Sequence, residues 1–158
     1  MTLRRVLAVV GLVAVAAAVL VGLATAGTAT RQQQVEITFH SLAKTFVLVP
    51  LTSGPIRRDS GTYSSCCWTQ RFYTRDGQSI EIDDPTVTMK GKRGTFIWHE
   101  RLTFVDINNG YDVATGSWTI VRGTGAYTHL HGHGREAAVD KNNVEVAVQD
   151  QGLVSLGR

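Results

Sequence analysis

The chain has 158 residues, 43% hydrophobic and 18% charged, with a formal net charge of +3 and two cysteines. One domain is expected at this length, and two cysteines exclude a disulfide framework. Arg4 and Arg5 belong to an N-terminal leader; without them 14 of the 16 basic residues face 13 acidic ones, which excludes the basic surface that nucleic-acid binding needs.

Met1–Arg5 carries two arginines, and Val6–Ala26 is uncharged and almost wholly apolar. This is the layout of an export signal, and Ala24-Thr25-Ala26 supplies the small residues after which a signal peptidase cuts. Cleavage after Ala26 and a secreted product are expected. The alternative is an uncleaved anchor, because the run is long enough to span a bilayer; it would be the chain's one membrane contact. Residues 27–34 are polar and small, a tether, and 35–158 form the domain.

In the domain, Val35, Ile37 and Phe39 alternate with polar residues, as a strand with one buried face does. Thr45–Leu51 is an apolar, β-branched run and reads as a second strand. Residues 52–61, with Gly54, Pro55, Arg57 and Arg58, read as a loop. Tyr63–Thr74 reads as one strand with Cys66, Trp68, Gln70 and Phe72 on a single face, and Asp76-Gly77 as a hairpin turn. Ile80 and Ile82, the turn Asp83-Asp84-Pro85, then Val87 and Met89 follow, and residues 90–94 make a further turn.

Thr95–Asp106 alternates again, with Phe96, Trp98, Glu100, Leu102 and Phe104 sharing a face. Asn109-Gly110 is the strongest hairpin signal in the chain. It leads into Thr115–Gly134, TGSWTIVRGTGAYTHLHGHG, in which Gly116, Trp118 and Ile120 share a face. The glycines around Thr124 allow a sharp corner. Residues 135–139 and the valines 144, 146 and 148 read as strands about an Asn142-Asn143 turn, with Gly152–Leu156 as a last edge. No helical periodicity follows Ala26. Short strands with turn signals between them predict an all-β antiparallel fold.

The run W-x-I-V-x-G-T-G-A-Y at Trp118–Tyr127, continued by Leu130-His131-Gly132, resembles the strand corner of the allene oxide cyclase-like and dirigent-like barrels, in the style of their secreted bacterial members. The resemblance implies an up-and-down barrel of about eight strands, assembly of identical subunits, and guidance of a reactive molecule by confinement without a cofactor. Arg122 and His131 depart from the dirigent pattern, so no catalytic residue is carried over from either family.

The aromatic faces should point inward, lining a lumen with Trp68, Gln70, Phe96, Trp98, Phe104 and Trp118, and with Cys66 among them. Glu100 lies on such a face and is the candidate catalytic residue; a carboxylate there has a raised pKa or a partner. Arg122 shares parity with Trp118 and is the expected partner. The ligand expected is an apolar or phenolic small molecule; the alternative function is a secreted interaction scaffold with a packed lumen.

His129, His131 and His133 carry metal-ligating side chains, but the expected corner at His129 breaks their alignment, and they are read as exposed; no metal is expected. The Asp106–Asp112 stretch lacks the glutamate of a calcium loop and is read as a hairpin. Cys66-Cys67 leaves three states open: a strained vicinal bridge, two thiols, or a bridge between subunits through Cys67; thiols are preferred.

Overall fold

The structure, a computed structural model, describes residues 32–142 and 144–157. The leader expected at 1–26 lies outside the described residues, as does most of the tether. Ten strands form: β1 (Gln33–His40), β2 (Thr45–Pro50), β3 (Asp59–Cys66), β4 (Gln70–Arg75), β5 (Gln78–Asp83), β6 (Thr86–Gly91), β7 (Thr95–Asp106), β8 (Tyr111–Gly123), β9 (Leu130–Lys141) and β10 (Val144–Leu156). All pairings are antiparallel, and β10 returns to pair with β1 while β7 pairs with β8. Following β1-β2-β3-β6-β7-β8-β9-β10 closes an eight-stranded up-and-down barrel. Closure leaves these strands no free edge over the paired lengths.

The predicted third strand is interrupted. Cys67 takes a left-handed backbone with φ 61°, a conformation costly for a residue with a Cβ, and the chain restarts as β4. Across the ladder, Asp84-Pro85 interrupts β5 and β6 at the same height, where Asp84 N–H donates to Thr69 O at 3.0 Å. Thus β4 and β5 form a hairpin that extends beyond the barrel rim, held by pairing of β5 with the second half of β7. Its turn is Asp76-Gly77, with φ of 51° and 80°, as a two-residue primed turn requires.

One half of the barrel is tightly packed. Val35, Ile37, Phe46, Leu48, Met89, Phe96, Trp98, Trp118, Tyr127, Leu130 and Val154 fill it. The Trp98 and Trp118 rings stack at 4.8 Å and 16°, worth about 1 kcal/mol beyond the area they bury. Glycines make room for this stack: a Cβ on Gly134 or Gly152 would stand 2.2 or 2.5 Å from the Trp118 ring. Of the glycines expected to shape this stretch, Gly125 takes the positive φ of the corner at 61°, and Gly134 is the seat of an indole.

Two buried polar side chains seal the packed end. Gln33, the first residue of β1 rather than tether, donates to Thr52 O and Ile56 O and accepts from Ile56 N–H. Asp59, in the segment expected as loop, accepts from the backbone N–H of Ser60, Lys92 and Arg93 and from the Tyr127 hydroxyl at 2.7 Å. Both are satisfied, as burial requires. Asp59 thereby ties β3, the β6–β7 turn and the Gly125 corner together.

Candidate functional site

The other end is open. Trp98 and Trp118 form the last packed layer, and above them the inward positions turn acidic. From Leu130, unbroken alternation on β9 carries Gly132, Gly134, Glu136, Ala138 and Asp140 inward. From Val154, Gly152 and Asp150 follow on β10. A bulge between Glu145 and Ala147 then resets the parity, which leaves Val146 outside and brings Glu145 in. On β7, Glu100 follows Trp98, and its Oε1 accepts the Trp98 indole N–H.

A chamber of about 140 Å³ opens here to solvent. Phe39, Tyr63, Leu102, Phe104 and Val148 form its apolar wall, and Trp68 stands at its mouth. Glu100, Glu136, Glu145 and Asp83 reach it as well. Outside it, Trp68, Gln70, Glu81, Asp83, Phe104, Asp112 and Asp140 line a wider vestibule beneath the β4–β5 hairpin. Trp68, Asp83 and Phe104 belong to both spaces and form the neck between them.

Eight of the 13 acidic residues of the chain line these two spaces or, like Asp150, lie buried beside them, while no lysine or arginine lines either. The nearly neutral domain has sorted its charge, acid within and base without. Asp150 is 0% exposed and Glu136 8% exposed; the two carboxyls hydrogen-bond each other only through a proton held between them, and neither Asp150 oxygen nor Glu136 Oε2 meets any other donor. These two are register partners on neighbouring strands. Asp83 Oδ1 and the Trp118 indole nitrogen are also buried and unpartnered. The contrast with the sealed end, where Gln33 and Asp59 meet every need, is sharp.

Such carboxyls hold their protons. Burial, then the charge of Glu136, raises Glu100 to about 9 against the pull of the Trp98 hydrogen bond. Burial, then Glu145, raises Glu136 to about 7. Asp150 rises to about 10 through burial and the charges of Glu136 and Glu100. Glu145 and Asp140 are raised as well, chiefly by burial. The Ser41 hydroxyl donates to Glu145, and Lys44, set over the Tyr63 ring at 5.3 Å, favours the charged form of Glu145 from the rim. At neutral pH Glu100 and Asp150 therefore keep their protons beside Glu136, which titrates near 7, in an apolar setting.

The expected site residues separate into three groups. Glu100 and Phe104 reach the chamber, with Trp68 at its mouth. Phe96, Trp98 and Trp118 are buried in the packed half, and Gln70 lies on the exposed hairpin, donating to Glu81 at 2.8 Å. Arg122 is a correction: it is exposed on the outer surface. A register shift between Ile97 and Trp98 sets Arg122 opposite Ile97 and Ile120 opposite Trp98, so the extra residue, Val121, reverses the parity counted from Trp118. Cys66 is a second correction, exposed at the end of β3; Tyr63 and Ser65 have the inward parity there. Both cysteines are free thiols.

Glu136, Glu145, Asp150, Tyr63 and Phe39 were not anticipated. For Glu136 and Asp150 the signal was present, since simple alternation from Leu130 and Val154 reaches them. His129, His131 and His133 are exposed, and no three acidic, histidine or cysteine side chains among the described residues are arranged to hold a metal ion. No family model, curated protein or solved structure matches the chain.

Proposed function

We propose that this protein is a secreted binding barrel that takes a small molecule with an apolar or phenolic body into the chamber at its open end. One observation carries the reading: a barrel packed and hydrogen-bonded to completion at one end keeps an aromatic-walled, solvent-connected chamber with unsatisfied polar groups at the other. Apolar walls with a few convergent polar groups are the usual form of a small-molecule site. The size is selective. An engineered cavity of about 150 Å³ holds one benzene ring, so a chamber of about 140 Å³ suits a single ring, with the rest of the ligand in the vestibule.

The Gly-Thr-Gly-Ala-Tyr corner and the closed eight-stranded architecture support kinship with the allene oxide cyclase-like and dirigent-like barrels. In that setting the protein guides a cyclisation or isomerisation by confining its ligand. Glu100, protonated at neutral pH, is the group that donates a proton to it. An alternative reading, an interaction scaffold, draws on the exposed β4 aromatics: Trp68 is 61% and Phe72 67% exposed.

The test is native mass spectrometry of the protein beside a Ser65→Trp variant, followed by titration of both with 4-methylphenol. Ser65 lines the chamber and is exposed, so an indole there blocks the space while sparing the core. A retained or added single-ring mass on the parent, absent from an equally stable variant, is the expected result. Equal behaviour of the two proteins would move the function to the outer surface.

A further inference from the structure

We infer that the group recognised at the base of the chamber is a protonated amine, seated against Glu136, with the ligand's apolar body against Phe39, Tyr63 and Phe104. The inference rests on the chamber being a ligand site and assigns the chemical class of the ligand.

The argument is one of charge and satisfaction. Glu136 reaches the chamber, is 8% exposed, and has one oxygen with no hydrogen-bond partner. Behind it Asp150 is fully buried and meets no polar partner except Glu136, with which it shares a proton. An orphaned buried acceptor is costly, and more so when it can carry charge. The groups acting on Glu136 are Glu145, Asp140 and Asp150, and Glu136 in turn acts on Glu100, which stands on β7 one strand removed from β9. Tyr63 faces the same space from β3. None is a cation; the one lysine acting on this set, Lys44, does so at the rim through Glu145.

Two kinds of cation could answer such a site. A bare divalent ion needs several oxygens converging at short, regular distances, and no such group of three is formed among the described residues. An ammonium needs less geometry, since its three N–H donors can satisfy separate acceptors. The aromatic surface beside the acids suits it as well, because a cation over a ring face is attracted by the ring quadrupole. An anionic ligand would meet the charge of Glu136 with no lysine or arginine lining the chamber to offset it. An uncharged hydroxyl donates a single hydrogen bond to Glu136 and brings no charge to offset the carboxylate.

The test compares three single-ring probes of nearly equal size: 2-phenylethylamine, 2-phenylethanol and phenylacetate. Each is titrated by calorimetry into the full protein at pH 7 in two buffers of different ionisation enthalpy. The amine is expected to bind at least tenfold more tightly than the alcohol, and phenylacetate more weakly than either. Amine binding should release protons from the Glu136 group, so its heat changes with the buffer, while the alcohol's does not. Glu136→Gln should reduce amine affinity tenfold or more and alcohol affinity by no more than about threefold. Equal binding of amine and alcohol, or buffer-independent amine heat, overturns the amine while leaving the chamber a ligand site. If none of the probes binds, or if Ser65→Trp binds them all as the parent does, both the amine and the chamber are lost. Saturation by calcium or magnesium that excludes the amine assigns the carboxyls to a metal and refutes the inference.

Discussion

Replacing Glu100 by glutamine should stabilise the barrel, and by an amount that grows with pH. In the folded chain Glu100 keeps its proton up to a pH of about 9, whereas the unfolded chain ionises near 4.5. Between these values the folded state binds more protons than the unfolded one, so stability falls as pH rises. At pH 7 the gap from the unfolded value is about 2.5 pH units, and at about 1.4 kcal/mol each this amounts to roughly 3 kcal/mol. At pH 5 the same arithmetic leaves less than about 1 kcal/mol.

Glutamine is close to isosteric with the protonated acid, and its oxygen can still accept the Trp98 indole N–H. It carries no ionisation cost. Glu100→Gln should therefore raise the melting temperature by about 10 °C at pH 7 for a domain of this size, and by only a few degrees at pH 5. Thermal unfolding followed by circular dichroism between pH 5 and 8 measures both, and the parent protein should melt progressively lower across that range. A parent that grows more stable with rising pH, or a variant shifted equally at both ends, would refute the burial argument.

At the sealed end the sign reverses. Asp59→Asn should destabilise the fold by about 2–4 kcal/mol, since an amide NH2 would face the N–H and O–H donors that now converge on the carboxylate; urea unfolding gives the value, with Tyr127→Phe losing about 1 kcal/mol beside it. Gly134→Ala places a Cβ 2.2 Å from the Trp118 ring and 2.3 Å from Gln151 O. It should cost about 3 kcal/mol or more and shift the tryptophan emission, whereas an unchanged melt would mean that Trp118 does not lie over β9. Cys66 and Cys67 are both exposed thiols; a native thiol titration of freshly reduced protein should find both reactive without unfolding.

The architecture was legible because strand alternation and turn chemistry survive without tertiary context. Asp76-Gly77 and Asn109-Gly110 punctuate the chain where the structure turns, and both pairs take positive φ. What local pattern could not show was where alternation slips. The extra residue at Val121, the bulge at Val146 and the left-handed Cys67 each reverse the face on which later residues fall. The first two slips account for Arg122 standing outside and Glu145 inside; Cys66 precedes the third and is exposed because it alternates with the inward Tyr63 and Ser65. A second cause was the assumption that apolar residues mark the inner face. Along β10, Val144 and Val146 are 45% and 56% exposed, while acids occupy the lumen. Burial of apolar side chains is a tendency with many exposed exceptions, and in the open half of this barrel the inner face is polar. Glu100 reaches the chamber because it follows Trp98 in alternation along β7.

The pairing that completes the barrel joins its first strand to its last, with Gln33 opposite Val154 and Thr38 opposite Gln149. Nearly the whole described chain lies between them, so the closing contact carries the largest loop entropy in the fold. Topologies dominated by such non-local pairing fold slowly, in milliseconds to seconds. Until β10 emerges, β1 has a bare edge able to capture a strand from another chain. A circular permutant that joins residues 157 and 32 through a short glycine-serine linker and opens at Asn108-Asn109 turns this last step into a local hairpin. It should fold faster than the parent and aggregate less during refolding.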